Sequence, residues 1–488
     1  MENSKGRLTA WLSPLVHLSS NWISRVGVVM VTTATILWMF LLPSIVGGEI
    51  HHPYLGILIF MLLPAAFFGG LILIPAGIVL RRRRERKAGL YPAQFPPLDF
   101  QNLDFRRLVI FVVVISAVNV VIGGQLTYSG VNYMDTVGFC GQTCHTVMQP
   151  EYTAYQGSPH SRVACVQCHI GPGASWFVQS KLSGTRQVFA VLLNNYPRPI
   201  PVPVHNLRPA RETCEACHWP QRFEGNRLVI VPKYADDEKN TLTKTVLLVH
   251  IGGGGVPGIH SAHMGPGITI RYGSDESRQT VRWAQYEDAA AHRTSLFVAP
   301  DTKAGSVDAA SGRVMDCIDC HNRPTHTFQL PERALDQAMA AGQISPSLPY
   351  AKKEGIELLK RPYSSRQDAG EKIPATFAQY YEQRYPDVYR QQQDAVTQAG
   401  RTLVAVYDRN IFPLMKVTWG TYPNNIGHVD SPGCFRCHGT LQASNDPNTT
   451  VPQDCNTCHN LLAMDEANPK VLVDLGLAPA AAENPPAK

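Results

Sequence analysis

Residues 165–169 read C-V-Q-C-H: two cysteines with two residues between them, followed at once by a histidine. The chain has 488 residues and 12 cysteines, and all of the cysteines lie in six groups of this kind. Five groups have the strict C-x-x-C-H spacing, whereas C-G-Q-T-C-H at 140–145 has a third residue between its cysteines. The cysteine pairs, in chain order, are Cys140 and Cys144, Cys165 and Cys168, Cys214 and Cys217, Cys317 and Cys320, Cys434 and Cys437, and Cys455 and Cys458. The histidines that follow them are His145, His169, His218, His321, His438 and His459.

This pattern predicts covalently attached haem c. Two thiols on one tight turn can each add to a vinyl group of the same porphyrin, and the next histidine can then bind the iron as its proximal ligand. Disulfides would not require the histidines, and a zinc site would not require each histidine to follow its cysteine pair directly. We therefore predict six haem c groups on the twelve cysteines, with the six histidines as proximal ligands. At the irregular first group, a disulfide between Cys140 and Cys144 is the alternative.

Three apolar stretches precede the first cysteine group. They cover residues 22–46, 54–80 and 108–128, and each is long enough to cross the hydrocarbon core of a bilayer as a helix. The run R-R-R-R-E-R-K at 81–87 follows the second stretch, and basic loops stay on the cytoplasmic side. We therefore predict a multi-pass protein of the cytoplasmic (inner) membrane, with a cytoplasmic N-terminus and a periplasmic, extracytoplasmic haem domain. Between two spans the basic run is an orientation signal, so no nucleic-acid partner is expected.

The predicted fold is mainly α: three N-terminal transmembrane helices and then an extracytoplasmic multihaem domain wrapped around its haems, with a small antiparallel β insertion. The β insertion is predicted because segments such as K-T-V-L-L-V-H-I at 244–251 are rich in β-branched residues. The expected order is a cytoplasmic segment 1–21, a membrane region 22–128, a region with the first three haems 129–225, the β insertion 226–310, a fourth haem segment 311–330, a helical segment 331–425, a two-haem segment 426–477 and a disordered tail 478–488.

Three segments carry a resemblance to a known family. They read F-C-G-Q-T-C-H-T-V-M-Q-P-E-Y at 139–152, S-P-H-S-R-V-A-C-V-Q-C-H at 158–169 and C-I-D-C-H-N-R-P-T-H at 317–326. Together they resemble the NapC/NirT/NrfH family of membrane-anchored multihaem quinol dehydrogenases. Family members usually have one transmembrane helix and four or five haems. The predicted three spans and six haems are therefore more similar to the longer inner-membrane cytochromes of metal-respiring bacteria.

The resemblance implies several site residues. His160 and His326 match distal ligands that serve haems other than their nearest neighbours in the sequence. Met148 matches a methionine at the first iron, although it lies one position later than in the family. Lys181 matches a lysine near the first haem and the membrane surface, where the quinol binds.

The remaining irons need distal ligands as well. Outside the six motifs, the predicted external region contains eight histidines: His160, His205, His250, His260, His263, His292, His326 and His428. If Met148 serves the first iron, the other five irons need five of these eight. Besides His160 and His326, we favour His428, His260, His263 and His205. Low-potential haems with two histidine ligands are the expected result.

Two residues are candidates for quinol chemistry. The ammonium of Lys181 could hydrogen-bond a quinone oxygen and stabilise the negative charge that develops as the quinol loses its protons. Asp135, between the third apolar stretch and the first motif, could accept one of those protons. The alternative for Lys181 is a side chain that extends to the lipid headgroups without chemistry.

These observations and the resemblance predict an electron-transfer cytochrome of anaerobic or extracellular respiration. It would oxidise menaquinol at the outer face of the membrane and pass the electrons to a periplasmic cytochrome or terminal reductase. Its partners would be membrane lipid, the menaquinone pool and that acceptor. One alternative is a relay subunit of a larger complex without its own quinol site. A catalytic multihaem reductase is less expected, because all six motifs end in histidine.

Overall fold

The computed structural model describes residues 14–15, 17–19, 21–46, 61–92, 103–143, 145–204, 207–219, 225–253 and 256–478. Predictions for Cys144, for His205, for the first 13 residues and for the tail beyond 478 lie outside these residues, as do the side chains of His145 and Lys181. The chain forms two compact units, Met1–Cys144 and His145–Lys488.

The N-terminal unit contains three long helices over the three apolar stretches. They are α1 (Trp22–Val46), α2 (Leu63–Lys87) and α3 (Leu103–Met134). Among the described residues, α2 alone is both long and apolar enough to cross a bilayer. One membrane-spanning helix is therefore supported, and the assignment of α1 and α3 as further spans stays a prediction.

The basic run at 81–87 is helical, whereas the sequence placed it in a loop. It forms the last turns of α2, which ends at Lys87. Arginine and lysine are good helix formers, and their positive charges are favourable at the carboxyl end of a helix.

Helices α1 and α2 approach closely through glycine. A Cβ atom on Gly70 would lie 2.6 Å from the carbonyl oxygen of Gly27. The hydroxyl of Ser24 donates a hydrogen bond of 3.0 Å to the carbonyl oxygen of Ile74. Small residues of this kind allow close backbone packing between membrane helices.

The second unit begins with short helices around the haem motifs. These are α4 (His145–Gln156), α5 (Cys165–His169), α6 (Ala174–Leu192) and α7 (Ala210–Cys214), followed later in the chain by α8 (Ile259–Met264) and α9 (Cys317–Cys320). They are connected by turns and extended segments. A scaffold of this kind leaves space for large prosthetic groups.

The β structure consists of two antiparallel sheets, not one insertion. Its strands are β1 (Asn226–Tyr234), β2 (Leu242–His250), β3 (Ile268–Ser274), β4 (Val281–Asp288), β5 (Arg293–Val298), β6 (Arg313–Val314), β7 (Gln442–Ala443), β8 (Asp446–Thr450) and β9 (His459–Glu466). The first sheet has the order β1-β2-β9, and the second has the order β6-β3-β4-β5-β7-β8. Strands from the C-terminal two-haem segment thus complete both sheets. The predicted β insertion ends at residue 310 and therefore leaves out β6 to β9. The sequence did not reveal their pairing, because short strands can pair over any distance in the sequence.

The apolar core of the second unit lies among the helices of the 331–410 region. These are α10 (Pro331–Ala340), α11 (Ala351–Lys360), α12 (Arg366–Arg384), α13 (Pro386–Gln391) and α14 (Gln393–Asn410). Two further helices, α15 (Cys455–Cys458) and α16 (Lys470–Asp474), follow near the C-terminal end. Leu335, Ile373, Phe377 and Leu403 are at most 1% exposed in this core. The helical part therefore supplies an ordinary hydrophobic core beside the haem motifs.

We expect Phe377→Ala to lower the free energy of unfolding by about 3–5 kcal/mol, because it leaves a large cavity. Phe377 is 1% exposed, and its ring lies 5.1 Å from that of Tyr381 in an edge-on arrangement. Urea denaturation of the detergent-solubilised full chain measures the change. Leu414→Ala is the control, since Leu414 is 73% exposed. Equal stabilities of the two variants would contradict the assignment of this core.

Candidate haem sites

The described motifs form single turns that bring their cysteines together. In α5, α9 and α15 the helix begins at the first cysteine of the motif, and in α7 it ends there. Residues three apart on a helical turn lie on the same face, so both thiols can reach one ligand. The side chain of Asp316 caps α9 by accepting a hydrogen bond of 2.7 Å from the backbone N–H of Cys317. The motif sequence thus favours a local turn with the geometry that haem attachment needs.

Two proximal histidines face the histidines that the family resemblance pointed to. The ring centroids of His160 and His218 are 5.9 Å apart, and those of His169 and His326 are 6.2 Å apart. His160 lies next to the second motif but faces the third. His326 follows the fourth motif but faces the second. In both cases the partner belongs to a motif other than the nearest one in the sequence.

Two further pairs come from one short helix. On α8, His260 faces His321 with 6.3 Å between ring centroids and an angle of 3° between the ring planes. His263, three residues later, faces His438 at 5.8 Å. One turn of helix therefore faces both the fourth and the fifth motif.

The last pair lies at the C-terminal end of the series. The ring centroids of His428 and His459 are 6.3 Å apart, with 22° between the ring planes. His428 also stacks on Phe435, a residue of the fifth motif, at 4.5 Å. The fifth and sixth motifs are therefore in contact through this distal candidate.

The five separations fit two imidazoles bound to opposite sides of one iron. A metal–nitrogen bond is about 2 Å long, and the centre of an imidazole ring lies about 1 Å behind its nitrogen, so two opposed rings are about 6 Å apart. Ordinary aromatic pairs span a wider range, about 4.5–7 Å. Here the values fall between 5.8 and 6.3 Å in all five pairs. The residues therefore fit haem groups with two histidine ligands.

Backbone carbonyls orient four of the distal candidates. The Nδ1–H of each ring donates to a carbonyl oxygen, which leaves Nε2 without a proton and available to bind a metal. The four donor–acceptor distances are 3.3 Å from His160 to Pro324, 3.0 Å from His326 to Glu151, 3.2 Å from His260 to Ile251 and 2.8 Å from His263 to Ile259. The rings are thus held in the tautomer that an axial ligand requires.

Burial favours the neutral form of several of these rings. Desolvation lowers the pKa of the following histidines from the ordinary value: His169, His263, His321, His326 and His459. A buried imidazolium is costly, and a neutral imidazole is the form that coordinates a metal. The electrostatics of the sites therefore agree with their geometry.

Neighbouring motifs are linked in chain order. Helix α7 of the third motif packs against α5 of the second and against α9 of the fourth. Arg436 in the fifth motif donates a hydrogen bond of 2.6 Å to the carbonyl oxygen of Asp319 in the fourth. His428 stacks on Phe435 of the fifth motif and faces His459 of the sixth. The second to sixth motifs therefore form a continuous series.

The first site is only partly described. His145 is the first residue of α4, and Met148 lies three residues later on the same helix. Asp135 follows the C-terminal end of α3, and Lys181 lies within α6.

The other external histidines have different surroundings. His250 is hydrogen-bonded through both ring nitrogens, at 2.9 Å to Asn226 and 3.3 Å to Asn460. His292 is exposed in the turn between β4 and β5, with a left-handed φ of 49°. Neither belongs to the five ring pairs.

Glu151 and Arg323 have no role predicted from the sequence, although both lie in the segments that resemble the family. The guanidinium of Arg323, 6% exposed, forms an ion pair of 3.2 Å with the carboxylate of Glu151. That carboxylate also lies 3.3 Å from Nδ1 of His326. The available signal was a pair of opposite charges in the segments that resemble the family. The sequence could not pair them, because Glu151 and Arg323 lie 172 positions apart.

Comparisons with known proteins identify the family of the chain. The model of the NapC/NirT cytochrome c family, N-terminal region, matches residues 104–199. Cytochrome c-type protein ImcH of Geobacter sulfurreducens is 40% identical over 460 residues, which are 92% of this chain and 89% of that protein. Cytochrome c-type protein NrfH of Wolinella succinogenes is 31% identical over 78 residues, 15% of this chain and 44% of that protein. No solved structure matches the chain. The family predicted from the three segments is therefore confirmed: the chain belongs to the NapC/NirT family of membrane-anchored, haem c-binding cytochromes.

Proposed function

We propose that this protein is a hexahaem cytochrome of the cytoplasmic membrane that oxidises menaquinol at the outer face and passes the electrons to a periplasmic acceptor. The observation that carries the proposal is the set of five histidine pairs, each joining a motif histidine to a second imidazole at 5.8–6.3 Å. When bound, each haem c supplies an iron that takes up and releases one electron. The linked order of the second to sixth motifs supports a relay along that series.

The proposed axial ligands follow from the pairs. The proximal and distal residues would be His169 with His326, His218 with His160, His321 with His260, His438 with His263, and His459 with His428. At the first haem, His145 and Met148 stay the residues proposed as ligands. Because each described motif histidine faces a second ring, an iron site open to a small substrate is disfavoured at the second to sixth haems. This arrangement favours electron transfer over a catalytic reductase.

The proposed quinol site involves Lys181 and Asp135. Oxidation of a quinol releases two electrons and two protons. The ammonium of Lys181 would bind the quinone oxygen and stabilise its developing negative charge, and the carboxylate of Asp135 would accept a proton. Proton release on the outer side follows from the predicted orientation of the spans.

We expect Lys181→Ala to slow quinol-driven haem reduction at least about tenfold, since loss of one charged hydrogen bond to the quinone costs about 1.5–3 kcal/mol. The measurement is the haem absorbance of the full chain in proteoliposomes after addition of a menaquinol analogue. Dithionite, which bypasses the quinol site, should reduce the variant and the wild type equally. Arg186→Ala is the matched control, because Arg186 is an exposed basic residue on the same helix.

Two results would argue against the proposed quinol site. A wild-type rate in Lys181→Ala would remove Lys181 from the site. A wild-type protein that dithionite reduces but the menaquinol analogue does not would favour the relay subunit, which takes electrons from a protein partner.

A further inference from the structure

We propose that α8 is a single positioning element for the distal ligands of the fourth and fifth haems, so that these two sites form or fail together. The inference rests on the proposed function, because it uses the ligand set given there. The observation behind it is that His260 and His263 lie on one helix of six residues and face two different motifs. Each of the other distal candidates lies in a segment of its own.

The two rings share their support as well as their helix. Residues three apart on a helix have Cβ atoms about 5–6 Å apart, so the two imidazoles leave α8 from adjacent positions. The Nδ1–H of His260 donates to the carbonyl oxygen of Ile251, the residue that follows β2 and whose carbonyl also accepts from the backbone N–H of His260 at the start of α8. The Nδ1–H of His263 donates to that of Ile259, the first residue of the helix. The orientation of both rings therefore depends on the backbone at the start of α8.

That backbone is held by a close crossing of two glycines. A Cβ atom on Gly258 would lie 2.5 Å from the backbone nitrogen of Gly252 and 2.8 Å from the carbonyl oxygen of His250. Distances this short between a Cβ atom and backbone atoms require the backbone to move. The backbone N–H of His260 also donates to the carbonyl oxygen of Ile251 at 2.9 Å. The start of α8 is thus fixed against the end of β2, and only glycine fits at the crossing.

The fourth and fifth motifs are joined on the proximal side too. The guanidinium of Arg436 donates to the carbonyl oxygens of Asp319 and Arg278, both at 2.6 Å. The buried carboxylate of Asp319 accepts hydrogen bonds from Tyr272 at 2.7 Å and from Arg313 at 3.0 Å. Because both proximal motifs are anchored to one network, they cannot follow α8 if it moves. A shift of α8 therefore changes both ligand distances at once.

The test is Gly258→Val in the full-length holoprotein, with Gly305→Val as the matched control. A Cβ atom on Gly305 would meet nothing within 4 Å. Electron paramagnetic resonance of the oxidised protein counts low-spin haems with two histidine ligands, and the pyridine haemochrome assay counts covalent haem. We expect Gly258→Val to lose the low-spin signal of two haems together and to shift two midpoint potentials, with the covalent haem content unchanged. The control should match the wild type.

Two results would contradict the inference, and they can be told apart. Loss of one signal alone, or of none, in Gly258→Val would overturn the shared role of α8. A wild-type protein without five such low-spin haems would overturn the proposed ligand set and this inference with it.

A second variant tests the same point if Gly258→Val does not accumulate. One alanine inserted between Ser261 and Ala262 rotates His263 by about 100° relative to His260. If one helix must serve both motifs, at least one of the two low-spin signals is lost, and added imidazole restores it. Retention of both signals would show that the two ligands are positioned independently.

Discussion

Replacing Cys317 and Cys320 with serine is expected to stop quinol-driven electron flow after the third haem. The turn α9, which carries these cysteines, lies between α7 of the third motif and Arg436 of the fifth. Without its thioether bonds the fourth haem is lost, so the proposed content falls from six haems to five. A menaquinol analogue should then quickly reduce three of the five remaining haems, whereas dithionite should reduce all five. The haem absorbance change with the menaquinol analogue, divided by the change with dithionite, measures the fraction of haem that the quinol can reduce.

The matched control removes the last haem instead. Serine at Cys455 and Cys458 also leaves five haems, but the missing one lies at the end of the proposed series. We expect the menaquinol analogue to reduce all five haems in this variant and the periplasmic acceptor to stay oxidised. Equal fractions of quinol-reducible haem in the two double variants would contradict the proposed order of the relay.

The second large effect is expected for His160→Met, which replaces the distal ligand proposed for the third haem. Methionine–histidine ligation raises the reduction potential of a haem relative to two histidines, by a change on the order of 0.1 V. Since 59 mV is a tenfold change for one electron, the equilibrium shifts by about 50-fold in favour of an electron staying at this site. Electron transfer from the third haem to the next haem in the series should therefore slow. Spectroelectrochemical titration measures the potential, and stopped-flow absorbance measures the transfer.

His292→Asn is the control for this substitution. His292 is exposed and has a left-handed backbone conformation, which asparagine tolerates. It should leave all midpoint potentials at their wild-type values. If His160→Met also leaves every potential unchanged, His160 is not an axial ligand, and the pairing of its ring with His218 has another cause.

Local sequence was sufficient to predict the attachment sites and the family. A C-x-x-C-H group encodes its chemistry within five residues, because one turn of helix brings both thiols and the histidine to the same face. The comparisons confirm the family that the three resembling segments pointed to. The apolar stretch that became α2 was visible for the same reason, since its length and composition are local properties.

The pairing of histidines could not be read from the sequence in the same way. A count of ligands against haems selected a set of candidates, but neither count nor spacing says that His263 faces His438 and not His321. That choice is made by the placement of α8, whose start packs against the crossing of Gly252 and Gly258. The antiparallel β structure of residues 226–298 was predicted, but the pairing of the C-terminal strands with it was missed for a similar reason, because β9 pairs with β2 from more than 200 positions away.

The sequence by itself thus predicted which residues would carry haem chemistry, and it determined which family the chain belongs to. Both properties are encoded in short segments, and the residues of each motif lie on one turn of the chain. The tertiary structure alone decided which imidazole faces which motif and that one turn of helix faces two of them. It also decided that the second to sixth motifs adjoin in chain order. These are contacts between distant segments, so they are selected by the packing of the whole unit and not by local preference.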